Sequence, residues 1–147
     1  FYSSDSSSSI DFSRFARTIT DELCHSCVTG ARGLHVQYDL DTVLLGLDES
    51  IPLGLILNEA VSNTLKHAFP ESGQVNKILT ISLKESSTRM VHCTISDNGI
   101  GIPGDIDINN PVNFGLSLLH LLAHQLNARI TISSEKGTHV DVTFLKK

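Results

Sequence analysis

The chain has 147 residues, 40% of them hydrophobic and 18% charged, with a formal net charge of -5. This is the size and composition of one globular domain with enough chain to bury a core, and it argues against general disorder. No unbroken apolar run reaches the roughly 18 residues of a membrane span, and no cluster of Lys and Arg offers a nucleic-acid surface. Three cysteines, an odd number, fit a reducing compartment better than a disulfide framework.

The chain opens at Phe1 with neither an initiator Met nor a signal-peptide pattern, and reads as a piece cut from a longer protein. Residues 3–9 are nearly all serine, so residues 1–10 are assigned to a flexible linker and 11–147 to the domain. Asp11 stands as an N-cap before Phe12, Phe15, Ala16, Ile19, Leu23 and Cys27, whose spacing predicts an amphipathic helix over 12–27. Gly30 and Gly33 end it. Leu34, Val36, Tyr38 and Leu40 alternate with polar residues, the pattern of a half-buried strand, and Val43–Leu45 is a second short strand. A long helix is expected from Pro52, read as a first-turn proline, to Phe69, before Pro70. Residues 71–77 form a polar loop. Strands follow at 78–83 and 90–96, then a glycine- and proline-rich stretch at 97–114, a helix at 116–126, and strands at 128–133 and 139–144 joined at Gly137. The order implies an α+β two-layer sandwich: a mixed, mostly antiparallel sheet with helices on one face.

The helix over 52–69 carries Glu59, Asn63 and Lys66 at steps of four and three, which place them on one stripe with His67 beside it. The amide oxygen suits a magnesium ion, the cation can offset phosphate charge, and the carboxylate can accept a proton or orient a metal-bound water. The alternative is a solvated polar face, but the rest of this helix is strongly apolar and should not carry these groups without a use.

The strand over 90–96 runs into Asp97-Asn98-Gly99-Ile100-Gly101, which sets a carboxylate acceptor beside backbone that a ligand can approach closely. An acceptor there suits the exocyclic amine of adenine. Gly99, Gly101 and Gly104 imitate a dinucleotide fingerprint, but Pro103, Asp105 and Asp107 follow where that motif needs a helix. The same acidic run fails as a calcium loop, with Asn110 at the glycine position and Leu116 at the glutamate position. Gly115 precedes the helix at 116, whose N-terminal amides could receive phosphate. Cys24 and Cys27 form C-x-x-C without further zinc ligands or a redox context and are read as ordinary helix cysteines. His120 and His124 are read as a surface pair, and His139 as a strand residue at the site rim.

Together these segments resemble the GHKL ATPase superfamily, with its Bergerat fold. Glu59-Ala-Val-Ser-Asn63-Thr-Leu-Lys66-His67 is similar to the N box, Asp97-Asn-Gly99-Ile-Gly101 to the G1 box, Asn113-Phe-Gly115-Leu116 to a reduced G2 box, and Gly137-Thr138 to the final glycine-threonine box. Within the superfamily, Pro52 through Pro70 resembles the histidine kinases of the HisKA_2 type. The resemblance implies ATP and Mg²⁺ as cofactors. Asp97 would then receive the adenine amine with Thr138 near it, and Gly99 and Gly101 would let the backbone pass the base. Asn63 would bind the metal, and Glu59 would act as a catalytic group near the metal and its water. Lys66, a second catalytic group, and His67 would face the phosphates or ribose, Gly115 and Leu116 would back the phosphates, and residues 102–114 would form a lid.

The resemblance further implies transfer of the γ-phosphoryl group to a histidine on separate phosphoacceptor and dimerisation helices, and from there to a response regulator. The fragment is expected to be a cytoplasmic monomer contacting neither nucleic acid nor membrane, from a homodimeric parent that is either soluble or membrane-anchored. The G2 segment keeps one glycine, no Phe-rich F box is seen, and no Lys or Arg lies between Ile102 and Gly115. None of the seven histidines has the context of a phosphoacceptor, so the chain should not autophosphorylate alone. Two other readings remain: a serine kinase of the anti-sigma-factor type on the same fold, and a non-catalytic nucleotide-sensing module.

Overall fold

A computed structural model of the chain describes residues 9–70, 76–104 and 115–147. The serine run over 3–8, most of the 71–77 loop and most of the 102–114 segment, including Asn113 and Phe114, lie outside the described residues.

Strand β1 (Ile10–Asp11) leads directly into helix α1 (Phe12–Ser26), followed by a short α2 (Val28–Ala31). Asp11 caps α1 as the sequence implies, its Oδ1 accepting from the Ser13 amide at 3.1 Å. Strands β2 (Leu34–Leu40) and β3 (Leu44–Leu45) precede helix α3 (Leu47–Asn63) and a π-helical turn over Thr64–Ala68. Strands β4 (Lys77–Glu85) and β5 (Met90–Asp97), helix α4 (Leu116–Gln125), and strands β6 (Arg129–Ser134) and β7 (Thr138–Leu145) complete the described chain.

Two strand pairings organise the molecule. β1 and β3 form a two-stranded antiparallel ribbon, so Ile10, assigned from sequence to the linker, is paired with Leu45. The main sheet has the order β2-β4-β5-β7-β6, parallel between β2 and β4 and antiparallel elsewhere. Its period-two alternation puts Leu79, Ile81 and Leu83 of β4, Val91, Cys93 and Ile95 of β5, and Val140, Val142 and Phe144 of β7 in the core. The register aligns them in rows, Ile81 opposite Ile95 and Ile95 opposite Val140. Leu53, Ile56, Leu57 and Val61 of α3 and Leu119 of α4 belong to the same buried cluster. The expected two-layer sandwich and mixed, mostly antiparallel sheet are therefore present.

Helix α3 differs from its sequence reading at both ends. It begins at Leu47, capped by extended Gly46, whose carbonyl accepts from the Ser50 amide at 2.8 Å. Asp48 and Glu49 supply negative charge to the first turn, where the helix dipole favours it. Pro52 therefore sits in the second turn, and its missing N–H costs the helix a bond to the exposed Asp48 residue. At the other end the α-helix stops at Asn63 and the chain widens into the π-turn. This widening cannot be read from apolar spacing.

Cys93, 1% exposed, sits in the central strand, and burial, followed by the charge of Asp141, pushes its thiol from 9.0 up to about 12. The folded chain then keeps a proton that the unfolded chain releases. Between pH about 9 and 12 this should lower stability by about 1.4 kcal/mol per pH unit. Urea unfolding of the wild type and Cys93→Ala across pH 8–10.5 tests it: the alkaline slope should be shallower in the variant by that amount, and parallel slopes would contradict the assignment.

Candidate functional site

The residues singled out from sequence converge where α3 passes the end of β5. Asp97, the last residue of β5, is 5% exposed. Its carboxylate takes three donors from three segments. Oδ1 accepts the amide of Gly99 at 2.9 Å and that of Thr138, the first residue of β7, at 3.1 Å. Oδ2 accepts the Thr64 hydroxyl at 2.8 Å. A carboxylate has about four acceptor positions. Three donors leave one open, on Oδ2.

Beside this carboxylate lies a pocket of about 390 Å³, counting its open mouth. It is lined on one side by Asn63, Thr64, His67 and Ala68, and on the other by Asp97, Gly101, Ile102, Leu116, Leu119, Thr138 and Val140. Mostly apolar walls with a few convergent polar groups are the usual make-up of a small-molecule site.

The π-turn decides which helix residues face it. A π-helix closes bonds from residue i to i+5, so side chains after Asn63 rotate less per residue than in an α-helix. Thr64, His67 and Ala68 line the pocket, while Lys66 is exposed and does not. Of the stripe of Glu59, Asn63 and Lys66 expected from α-helical spacing, Asn63 lines the pocket and Glu59 and Lys66 do not. Both flanks of the turn are clamped. A Cβ on Gly30 of α2 would collide with the Leu65 carbonyl, and a Cβ on Gly99 would collide with the Ala68 backbone. The Ile100 amide donates to the Ala68 carbonyl at 2.9 Å.

The remaining predicted residues surround the pocket. Gly101 and Leu116 line it; Gly99 holds Asp97 from behind. Glu59 is half-buried, and its Oε2 occupies the space a Cβ on Gly115 would need, so the carboxylate rests on the backbone that opens α4. Asn63 and His67 are half-buried and engaged in further interactions. Of the histidines read as a surface pair, His124 is exposed, but His120 is half-buried and its Nε2 is removed from solvent without a hydrogen-bond partner. α4 packs against α3 through this region, so the spacing of the two histidines did not give two equivalent surface positions. Cys24 and Cys27 are free and half-buried, with burial, Asp21 and Cys27 raising the Cys24 thiol.

Two contributors, Thr64 and Ser134, escaped the sequence reading. Thr64 reads as one more residue of an apolar helix, and only its contact with Asp97, 33 positions away, distinguishes it. Ser134, whose Oγ accepts the Ile102 amide at 2.7 Å, fixes the pocket rim. Gly137 has φ +121 and packs against the Asp97 carbonyl, where any Cβ would collide. The sequence places Gly137 at a turn and in the glycine-threonine segment, but not against Asp97.

Residues 48–147 match the model of the histidine kinase-, DNA gyrase B-, and HSP90-like ATPases. The chain belongs to this family. It is an ATPase domain of the histidine kinase-, DNA gyrase B- and HSP90-like type. It is 28% identical over 116 residues to the blue-light-activated histidine kinase 2 of Erythrobacter litoralis, covering 78% of this chain and 33% of that protein. The anti-sigma F factor of Bacillus licheniformis is 32% identical over 107 residues, covering 66% of this chain and 70% of that one. The solved histidine kinase domain of the Erythrobacter litoralis blue-light activated histidine kinase superposes with a TM-score of 0.82 at 25% identity, over 93% of this chain and 62% of that domain. The domain thus spans about a third of the curated kinase, and the similar kinases are larger proteins of which it matches a part.

The clamp on the π-turn makes a measurable claim. Gly99→Ala forces the Ala68 backbone to shift and should cost about 1–3 kcal/mol of stability. Urea unfolding of the variant would contradict the clamp if its midpoint and slope matched the wild type.

Proposed function

We propose that the domain binds ATP with Mg²⁺ in this pocket and acts as the catalytic part of a two-component sensor histidine kinase of the HisKA_2 type. The observation that carries the reading is the buried Asp97 carboxylate, fixed by three donors, with one acceptor position left at a pocket edge. An exocyclic amine supplies the missing donor. The apolar walls at Ile102, Leu116, Leu119 and Val140 suit the faces of a planar base.

In this reading the family's roles fall on matching residues. Asp97 receives the adenine amine, with Thr138 beside it, and Gly99 and Gly101 bring the loop backbone past the base. Asn63 offers an amide oxygen to Mg²⁺, with Glu59 nearby to orient a metal-bound water. Lys66, which is exposed, and His67, which lines the pocket, serve the phosphates or ribose; Gly115 and Leu116 back them at the start of α4. Among the described residues no group of three His, Cys, Asp or Glu could hold a metal alone. That donor set suits an ion that takes most of its oxygens from phosphates and water. When bound, Mg²⁺ neutralises charge on the polyphosphate. The chain's own part is positioning: Asp97 fixes the base, and the π-turn sets where Asn63 and His67 stand relative to it.

The acceptor histidine belongs to separate phosphoacceptor and dimerisation helices joined through the serine-rich segment before β1, and a response regulator receives the phosphoryl group next. No helix among the described residues is long and apolar enough to cross a membrane; a cytoplasmic monomeric domain within a homodimeric parent fits this arrangement. Similarity to the anti-sigma F factor favours one second reading, a serine kinase acting on a separate partner. Acid treatment separates the two, because a phosphohistidine is acid-labile and a phosphoserine is not.

Titration calorimetry with Mg²⁺·ATP on the folded domain should show micromolar to submillimolar binding, weakened at least about tenfold in Asp97→Asn, where an acceptor facing an amine is partly replaced by a donor. Absence of binding by the folded wild type, or equal binding by the variant, would overturn the nucleotide reading.

A further inference from the structure

We propose that Lys77, which lies outside the pocket, is a positioning residue for nucleotide binding: its buried ammonium anchors the exit of the π-turn by seating over the ring of Phe69. The proposal rests on the nucleotide reading above.

Lys77 is the first residue of β4 and is 9% exposed. A lysine ordinarily lays its stem on apolar surface and keeps its head in water. An ammonium taken out of water is costly unless it is paired. Among the described residues Lys77 forms no ion pair with a carboxylate. Its head has two other partners. Nζ donates to the Arg32 carbonyl at 3.1 Å, and it stands 5.8 Å from the centre of the Phe69 ring. A cation within about 6 Å of a ring face is attracted to it, more strongly when desolvated.

Both partners adjoin the π-turn. Phe69 is the residue that ends the turn, two positions after His67. Arg32 ends α2, two positions after Gly30, where a Cβ would collide with the Leu65 carbonyl inside the turn. Lys77 therefore closes a circuit of contacts: α2 against the turn, Arg32 to Lys77, and Lys77 to the turn's exit. Gly30, Arg32, Phe69 and Lys77 do not line the pocket, whereas Asn63, Thr64, His67 and Ala68 do. The circuit holds in place the segment that forms one wall of the pocket. A π-turn is a rare geometry within a helix, and without the anchor at Phe69 its exit relaxes and displaces His67 and Asn63.

Stability and binding should separate in the test, because replacing a buried charge by an apolar residue of similar volume is often neutral or stabilising. Urea unfolding and calorimetry with Mg²⁺·ATP are run on the domain and its variants. Lys77→Met keeps the stem and removes the charge. Its urea midpoint should equal or exceed that of the wild type, while ATP binds about tenfold more weakly. Lys77→Arg keeps a cation that stacks on aromatic faces and should bind ATP within about twofold of the wild type. Phe69→Leu removes the ring and should weaken ATP binding as Lys77→Met does, and the double variant should bind no more weakly than either single one. Unchanged ATP affinity in Lys77→Met overturns the proposal while leaving the nucleotide reading intact. So does a loss that Lys77→Arg fails to restore, or additive losses in the double variant. Failure of Lys77→Met to fold, or a lowered urea midpoint, also overturns it, since the residue is then structural. Failure of the wild type to bind ATP contradicts the nucleotide reading and this proposal with it.

Discussion

The structure depends on one buried negative charge. A carboxylate at 5% exposure is costly unless it is fully engaged, and Asp97 is engaged from three directions: the loop after its own strand, the start of β7, and the end of the α3 helix. Residues 64, 97–99 and 138 are far apart in the chain, and the carboxylate bonds them to one another. The pocket is the space left between the segments it ties together.

Everything near that charge is arranged for close approach. Gly137 lies against the Asp97 carbonyl with a φ of +121, a backbone that side-chain-bearing residues seldom adopt. Gly99 lies against Ala68, and Gly30 holds the opposite flank of the π-turn. The π-turn is the second constraint. By changing the angular step after Asn63 it brings Thr64 and His67 to the pocket and sends Lys66 outward. Departures from α-helical geometry of this kind recur at functional sites because they re-aim side chains without ending the helix. In the proposed ATP reading, the base is gripped inside the pocket, and Lys66 is exposed and outside its lining.

Much of this was legible in the sequence because it rests on short-range rules. The alternation through β4, β5 and β7, the Asp11 cap and the breaks around Gly99–Gly104 each follow from local preference, and the segments held within a few residues of the expected boundaries. The α3 start was missed because Pro52 looked like a first-turn signal, while capping at Gly46 and the acidic pair Asp48 and Glu49 start the helix one turn earlier. The π-turn was not legible because its apolar pattern is that of an ordinary helix. Thr64 was not legible because its partner is a non-local one, set by sheet register and helix packing together. Asp97, by contrast, was legible as a chemical group because it stands at a strand end before glycines, where a carboxylate has few structural uses.

The central claim is that Asp97 joins the ligand to the two segments bonded to its Oδ1. Amide NMR spectra of the ¹⁵N-labelled domain during titration with Mg²⁺·ADP test it most directly. The Gly99 and Thr138 amides, both donors to that carboxylate, should show shift changes among the largest in the spectrum and slower hydrogen exchange at saturation. Binding that leaves both amides unmoved and exchanging as before would contradict the account.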